Sequence, residues 1–309
     1  MAADVEGVTR IAVIGGGGSM GHGIVLACIQ GGPYEVTIVS RKQATCAYGL
    51  ELIKEGPYGL AKAVKRGKIT REQADEMLSR VRTTTDYAEG LEGADLVFES
   101  IPEDKEQKKR CLRLVETRVS SHCVIASGTS AIMISEMAGA MESMEGRLVG
   151  THWFFPSNVM KLVEVARSEI TSDGAFELIM AFLRKIGKHP FAVKDSPGFF
   201  MTRFINTYIT EAIRLVELGV ASISDIDEMN RSGSGWPMGV FQLLDETASF
   251  DAYYHAQGYL HETLGERYRI PALARKLFEA GYLGNPQLKP GSKGGWYDFF
   301  SEEKRYLKK

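Results

Sequence analysis

Apolar residues in the first part of the chain occur in short runs separated by segments with helical spacing. Four short apolar runs indicate buried strands, and the first two of them are rich in β-branched residues: RIAVIG (10–15), YEVTIVS (34–40), ADLVFES (94–100) and HCVIAS (122–127). Between them, SMGHGIVLACIQ (19–30) and EDKEQKKRCLRLVETRV (103–119) repeat apolar residues every three or four positions, which indicates helices. Strands that alternate with helices predict an α/β fold with a doubly wound, largely parallel sheet.

A helical insertion is predicted after the second strand. One helix begins near Gln43, GPYG (56–59) interrupts it, and KITREQADEMLSRV (68–81) is predicted to form a further amphipathic helix. Thr70 and Gln73 have the spacing of a capping box at its start. Additional strands are predicted in GRLVGTHWF (146–154), MKLVEVA (160–166) and PFAVK (190–194).

The pattern changes after Pro197, where strand-like runs become rare. Helices are predicted in RFINTYITEAIRLVELG (203–219), SISDIDEMNRSG (222–233) and ALARKLFEAG (272–281). The sequence therefore predicts two domains, residues 1–195 with the α/β sheet and residues 196–309 built of helices.

The composition disfavours several classes of protein. A formal net charge of −2 over 309 residues argues against bulk binding of nucleic acid or of an anionic membrane. The chain has no signal-peptide core and no apolar run of about 18 residues, which predicts a cytoplasmic protein without a membrane span. Neither a metal site nor a disulfide framework is predicted, because the cysteines lack CxxC spacing and companion histidines: Cys28, Cys46, Cys111 and Cys123.

The first strand ends in a glycine-rich loop that opens a helix. Gly16, Gly18 and Gly21 have the G-x-G-x-x-G spacing of dinucleotide-binding sites, with Ser19 and Met20 between the last two glycines. In that pattern the glycines allow a tight turn, close approach of the backbone to a pyrophosphate and close packing of helix on strand. The alternative is a glycine-rich turn that binds nothing.

The end of the second strand indicates which dinucleotide is bound. An NAD site has an Asp or Glu there for the ribose 2′-hydroxyl, but this strand ends in Ser40, Arg41 and Lys42. Ser40 does not repel a 2′-phosphate and the two cations can pair with one, so the sequence favours NADP(H) over NAD(H). Alternatively, Ser40 caps the next helix and both cations lie in solvent.

Polar residues also gather where later strands end, and ligands of open α/β sheets bind beyond such ends. They are Glu99, Glu103, Ser127, Ser130 and His152. Glu164 lies in an apolar strand, where a carboxylate needs a partner, and His152 is twelve residues upstream. A carboxylate that orients one imidazole nitrogen leaves the other free to exchange a substrate proton, which predicts acid/base catalysis. Alternatively, His152 is a core histidine and Glu164 faces solvent.

Nearly the whole chain resembles the 3-hydroxyacyl-CoA dehydrogenases and their L-3-hydroxyacid relatives. The segments that carry the resemblance are GGGSMGHGI, KRGKITREQADEMLSRVRTTTD, ADLVFESIPEDKEQKK, SGTS, GTHWFFPSNVMKLVEV, DSPGF, WPMGVFQLLD and GSKGGWYDF. The resemblance implies a Rossmann-like dinucleotide-binding domain with a helical hairpin insertion, then an all-helical C-terminal domain for substrate binding and homodimer formation. It implies His152 as general acid/base, Glu164 as its orienting partner and Ser130 as a hydroxyl near the substrate oxygen. Glu103 and Lys108 match positions on the nicotinamide side of the cofactor.

Three positions depart from the family pattern. Thr202 stands where the family commonly has a substrate-polarising asparagine, Phe155 replaces a second asparagine, and Gly128 replaces a third. Thr202, or Asn206 one helical turn further on, is the candidate donor in place of the lost amide. Trp153 and Phe155 suggest a bulkier pocket and a changed acyl group, unless these aromatic side chains belong to the core.

The sequence therefore predicts an oxidoreductase of fatty acid metabolism that transfers hydride between NADP(H) and C3 of a 3-hydroxyacyl or 3-oxoacyl substrate, expected to be a CoA thioester. The cations of KAVKRGK (62–68) suit the phosphates of CoA, although a solvated helix face is the more usual role of such a run. Two alternatives stay open. One is a dehydrogenase of a free hydroxy acid, as in the gulonate and carnitine branches, and the other is an NADPH-binding structural or regulatory protein with weak catalysis.

Overall fold

The chain divides into two compact units between Phe199 and Phe200. A computed structural model describes residues 5–143 and 145–307. The first unit contains all the strands of the described chain, and the second is built of helices. The division falls at the end of the segment DSPGF (195–199), four residues after the predicted boundary between residues 195 and 196.

Eight strands form one sheet in the described part of the first unit. They are β1 (Arg10–Ile14), β2 (Glu35–Val39), β3 (Val81–Thr84), β4 (Leu96–Glu99), β5 (Val124–Ser127), β6 (Leu148–Trp153), β7 (Leu162–Arg167) and β8 (His189–Lys194). Their order is β3-β2-β1-β4-β5-β6-β7-β8. All neighbours run parallel except β6 and β7, which are antiparallel. The predicted doubly wound, largely parallel sheet is confirmed.

Helices connect the strands and make up the second unit. Those of the first unit are α1 (Gly21–Gly31), α2 (Gln43–Glu55), α3 (Leu60–Lys65), α4 (Arg71–Ser79), α5 (Tyr87–Leu91), α6 (Lys105–Glu116), α7 (Ile134–Ala138) and α8 (Asp173–Lys185). Those of the second are α9 (Met201–Glu217), α10 (Ile223–Ser234), α11 (Val240–Glu246), α12 (Phe250–Leu264), α13 (Ala272–Ala280) and α14 (Trp296–Leu307). No helix in the described residues combines the length and apolar character needed to cross a membrane.

The insertion between β2 and β3 differs from its prediction in one respect. Residues 68–81 are predicted as helix, but Val81 already begins β3. This edge strand escapes the pattern because it has only four residues, VRTT, of which Thr84 alone is buried. The predicted capping box is present: Thr70 Oγ1 accepts a hydrogen bond from Gln73 N (3.2 Å), and Gln73 Oε1 accepts one from Thr70 N (2.8 Å).

Each unit has a hydrophobic core of its own. In the first, β4 and β5 are buried at every position, which explains why their sequences are continuous apolar runs rather than alternating ones. In the second, the fully buried Trp296 packs against the rings of Phe241 and Phe250, at centroid distances of 4.9 and 5.2 Å. The predicted site residues are divided between the two units, with all except Thr202 and Asn206 in the first.

Candidate active site

The glycine-rich loop makes the tight turn from β1 into α1 that its spacing predicts. Gly16 N donates a hydrogen bond to Val13 O (3.1 Å), and Gly18 N donates one to Gly15 O (2.8 Å). A Cβ atom at Gly21 would lie 2.2 Å from Gly15 O. Only glycine therefore lets the start of α1 pack against this turn.

The start of α1 fits a pyrophosphate. Its N-cap residue, Met20, makes no side-chain hydrogen bond to the helix, and the N–H groups of Ser19 and Met20 donate to no acceptor among the described residues. A Cβ atom at Gly18 would meet one atom within 4 Å, Gly15 O at 3.2 Å, so the backbone there is open to a ligand. Such N–H groups, together with the positive end of the helix dipole, suit phosphate oxygens.

A fourth glycine in the loop has a packing role that its spacing does not reveal. A Cβ atom at Gly17 would lie 2.1 Å from Thr45 O in α2. On the other side of this contact, a Cβ atom at Gly49 would lie 2.4 Å from Gly17 Cα. The first inserted helix therefore packs directly on the loop backbone, with no room for a side chain between them.

The residues that follow β2 include no carboxylate. Ser40 is buried, and its Oγ has no hydrogen-bond partner among the described residues. Its alternative role as a helix cap is wrong, because the N-cap residue of α2 is Lys42 and no side chain caps that end. Arg41 and Lys42 are both exposed. The end of β2 thus presents a buried, unpaired hydroxyl and two exposed cations.

A fully buried ion pair lies at the carboxyl ends of β4 and β5. Glu99 Oε1 accepts hydrogen bonds from Lys108 Nζ (2.8 Å) and Ile101 N (2.8 Å), and Glu99 Oε2 accepts one from Ser127 Oγ (2.6 Å). Lys108 Nζ also lies 3.5 Å from Glu103 Oε2. Burial lowers the pKa of Lys108, but the two carboxylates outweigh burial and leave this pKa raised. The ammonium group is therefore charged.

Glu103 holds the loop after β5. Its Oε1 accepts hydrogen bonds from Thr129 Oγ1 (2.6 Å), Ser130 N (2.8 Å) and Ala131 N (2.9 Å). Burial raises the pKa of Glu103, but the charge of Lys108 and these hydrogen bonds outweigh burial and leave the pKa lowered. The ionised carboxylate therefore fixes the backbone that carries Ser130, whose side chain is half-buried.

The network places Glu103 and Lys108 differently with respect to a cofactor. Lys108 has no exposed surface, whereas Glu103 keeps 14% of its side chain exposed. Lys108 therefore supports the two carboxylates, and its direct contact with a cofactor stays a prediction.

His152 and Glu164 form a cross-strand pair between β6 and β7. They are direct partners in the antiparallel register, and His152 Nδ1 lies 2.8 Å from Glu164 Oε2. Glu164 is 2% exposed, so the alternative in which it faces solvent is wrong. With Nδ1 facing the carboxylate, Nε2 is the ring nitrogen that can serve a ligand.

Both units match one protein family. Residues 10–196 match the domain described as 3-hydroxyacyl-CoA dehydrogenase, NAD binding domain, and residues 198–294 match the 3-hydroxyacyl-CoA dehydrogenase C-terminal domain. The chain belongs to the 3-hydroxyacyl-CoA dehydrogenase family. It is an oxidoreductase of this type with a domain for a nicotinamide cofactor.

Relatives of this dehydrogenase match over most of its length. It is 38% identical over 240 residues to the mitochondrial hydroxyacyl-coenzyme A dehydrogenase of Homo sapiens, which spans 77% of this chain and 76% of the relative. It is 33% identical over 291 residues to the 3-hydroxybutyryl-CoA dehydrogenase of Clostridioides difficile, which spans 94% and 99%. The crystal structure of (S)-3-hydroxybutyryl-CoA dehydrogenase PaaH1 from Ralstonia eutropha superimposes with a TM-score of 0.80 at 30% identity, over 92% of this chain and 98% of the other.

The structure explains one departure of this dehydrogenase from the family pattern. Gly128 N donates a hydrogen bond to Glu99 O (2.6 Å), and a Cβ atom at Gly128 would lie 2.7 Å from the same oxygen. A side chain as large as asparagine would require this turn to shift. The close contact between the ends of β4 and β5 therefore favours glycine at this position.

Thr202 and Asn206 lie in α9 of the helical unit, and both are buried. The amide nitrogen of Asn206 donates to Tyr253 O (3.4 Å) and to Gln257 Oε1 (3.2 Å). Both of its N–H bonds are therefore used inside the helical unit. The suggestion that Asn206 replaces the lost substrate donor is wrong for this reason, and the role of Thr202 stays a prediction.

Trp153 belongs to the core rather than to a substrate pocket. Side chains alternate along a strand, so Trp153 points away from the face of β6 that carries His152. Its ring is 4% exposed and packs edge-on against Phe98 at 5.7 Å. The predicted contribution of Trp153 to a bulkier pocket is therefore wrong. Phe155 is half-buried and packs edge-on against Tyr58 at 5.8 Å, so the predicted change of acyl group depends on Phe155.

Lys188, which the sequence patterns do not reveal, holds the loop after β6. It is 4% exposed, and its Nζ donates to Ser157 O (2.5 Å) and Met160 O (2.9 Å) without a carboxylate partner among the described residues. Burial, aided by the charge of Lys161, lowers the pKa of Lys188 to about 8. In the sequence, Lys188 resembles any lysine in a turn, because it directly precedes the first residue of β8.

Lys108→Met is expected to lower the free energy of unfolding of the dehydrogenase by about 3–5 kcal/mol, because it leaves buried carboxylates without their counter-charge. The double variant Glu99→Gln/Lys108→Met should lose less than the sum of the single losses. Lys109→Met is the control, since its ion pair with Glu106 lies near the surface. Urea unfolding of these three variants and of the single variant Glu99→Gln measures the losses. If the losses of Glu99→Gln and Lys108→Met add up in the double variant, the predicted coupling is wrong.

Lys188 is expected to make stability increase with pH above about 8. An unfolded chain keeps lysine protonated to about pH 10.4, whereas the pKa of folded Lys188 is about 8. Between these values the unfolded state binds more protons, so folding becomes more favourable as pH rises. Lys188→Met should remove this contribution, and Lys185→Met, an exposed lysine of α8, is the control. Urea unfolding between pH 8 and about 10.4 measures how the free energy of unfolding changes with pH. If this pH dependence is the same in Lys188→Met and Lys185→Met, the prediction is wrong.

Proposed function

We propose that this dehydrogenase transfers hydride reversibly between NADP(H) and C3 of a 3-hydroxyacyl or 3-oxoacyl CoA thioester. The observation that carries the proposal is the buried pair of His152 and Glu164, whose facing atoms lie 2.8 Å apart. β6 runs in the direction of β1, so His152 near its carboxyl end lies at the same edge of the sheet as the glycine-rich loop. This is the edge at which ligands of open α/β sheets bind.

His152 is the proposed proton carrier. In reduction of a 3-oxoacyl substrate, Nε2–H of the imidazolium donates its proton to the C3 oxygen, and in oxidation neutral Nε2 takes that proton back. Glu164 orients the ring and stabilises the imidazolium through Nδ1–H. The nicotinamide, when bound, supplies or accepts the hydride. Ser130 and Thr202 are the proposed hydrogen-bond donors to the substrate oxygen.

NADP(H) is the proposed cofactor. The N–H groups of Ser19 and Met20 would hold its pyrophosphate, and the end of β2 has no carboxylate to repel a 2′-phosphate. Arg41 and Lys42 are exposed there and available to pair with it. Since the matched family domain is described as NAD binding, NADP(H) preference would distinguish this chain from that description.

An acyl-CoA is the proposed substrate. The relatives are named for hydroxyacyl-CoA and 3-hydroxybutyryl-CoA, and Phe155 supports an acyl group that differs from theirs. Four cations around the end of α3 are exposed, which suits both CoA phosphates and a solvated helix face: Lys62, Lys65, Arg66 and Lys68. The homodimer and the cytoplasmic location stay predictions.

NADPH is expected to be the better cofactor. With acetoacetyl-CoA, kcat/KM should be about tenfold or more higher with NADPH than with NADH, since a charge-assisted contact to the 2′-phosphate is worth about that factor. Arg41→Gln should lower kcat/KM for NADPH and leave the value for NADH nearly unchanged. Nicotinamide absorbance follows both reactions. A preference for NADH would refute the cofactor assignment, and NADPH binding without turnover of any thioester would favour a free hydroxy acid substrate or a non-enzymatic role.

His152→Ala is expected to lower kcat by about 10²–10⁴-fold, the usual contribution of general acid/base catalysis. Glu164→Gln keeps a hydrogen-bond acceptor but not the charge that stabilises the imidazolium, so it should lower kcat and change its pH dependence while KM for NADPH stays near the wild-type value. Glu169→Gln removes an exposed carboxylate just beyond β7 and is the control. Wild-type kcat and pH profile in Glu164→Gln would contradict the role of Glu164.

A further inference from the structure

A cleft of about 480 Å³ lies in the first unit beyond the ends of β2 and β4. Arg41 follows β2, Ile101 follows β4, and Tyr87 begins α5 on its rim. Arg110 and Leu114 line it from α6. Because β1 lies between β2 and β4 in the sheet, the cleft opens beside the glycine-rich loop that follows β1.

Two arginines face this cleft without a counter-charge. Arg41 and Arg110 line it, and no carboxylate does so among the described residues. Within residues 5–143 and 145–307, neither guanidinium group has a partner for an ion pair or a hydrogen bond. Arg80, by contrast, pairs with Glu76 at 2.9 Å. Two unpaired guanidinium groups that face one space suit a doubly charged anion such as a phosphate monoester.

The remaining walls suit a flat aromatic ring. Ile101 and Leu114 are apolar, and Tyr87 contributes a phenol ring. Gln107, Arg110 and Leu114 recur at helical spacing, so α6 presents one face to the cleft. A guanidinium plane can also stack on such a ring. The combination of apolar surface and paired cations fits an adenosine that bears a phosphate on its ribose.

We propose that this cleft binds the 2′-phosphoadenosine half of NADP(H), with Arg41 and Arg110 on either side of the 2′-phosphate. Arg110 is then a specificity-determining residue supplied by α6 rather than by the end of β2. This inference rests on the proposed NADP(H) function and identifies a second cation for it. CoA carries a related group, a 3′-phosphoadenosine, so the position of the phosphate distinguishes the two sources.

The test is calorimetric titration of the purified full chain with adenosine 5′-monophosphate, adenosine 2′,5′-bisphosphate and adenosine 3′,5′-bisphosphate. The wild type should bind the 2′,5′-bisphosphate about tenfold or more tightly than the monophosphate, as expected for a bidentate arginine contact. Arg110→Gln should bring the two affinities close to each other, by weakening the binding of the 2′,5′-bisphosphate while Kd for the monophosphate changes little. Arg110→Lys should give an intermediate ratio, because lysine keeps the charge but not the fork.

Arg113→Gln is the matched control, because Arg113 is an exposed arginine on the same helix that does not line the cleft. It should keep the wild-type ratio. If Arg110→Gln keeps that ratio as well, this inference fails while the NADP(H) proposal stands. If the wild type binds the monophosphate and the 2′,5′-bisphosphate equally well, both fail. Tightest binding of the 3′,5′-bisphosphate would assign the cleft to CoA and overturn the inference.

Discussion

The buried ammonium group of Lys108 is the constraint on which the ligand-facing edge of the sheet depends. An uncompensated charge in the core costs several kcal/mol, so the chain must bring carboxylates to it. Glu99 does this from the end of β4 and also ties that strand to β5, while Glu103 binds the loop that carries Ser130. Because Lys108 compensates one of these two negative charges, the carboxylates present less negative potential to the phosphates of a dinucleotide at the same edge.

The proposed catalytic pair of His152 and Glu164 depends on a different constraint, the register of two antiparallel strands. His152 faces Glu164 because β6 and β7 pair at that position. A slip of one residue would turn the imidazole to the opposite face, where Trp153 packs against Phe98 in the core. Lys188 holds the loop that connects these strands through two backbone carbonyls. The orientation of the imidazole is therefore a property of the sheet rather than of a flexible loop.

Patterns that are local in the chain were enough to predict most of the fold. The alternation of apolar strands and amphipathic helices, the capping box of Thr70 and the glycine spacing each depend on residues a few positions apart. The pair of His152 and Glu164 could also be predicted, because a carboxylate within an apolar strand requires a partner and His152 is only twelve residues upstream. β3 was missed, since a four-residue edge strand with one buried side chain has little apolar pattern.

The sequence by itself thus determined the fold class, the family and the pairing of His152 with Glu164. Each of these can be read from local periodicity, from motif spacing or from the need of a buried charge for a partner. Only the tertiary structure decided that Trp153 belongs to the core, that Asn206 uses its amide within the helical unit, and that Lys188 holds a loop. It also decided that Arg41 and Arg110 share a cleft. These roles depend on which face a side chain takes and on contacts between residues distant in sequence, and neither is encoded in the spacing of residue types.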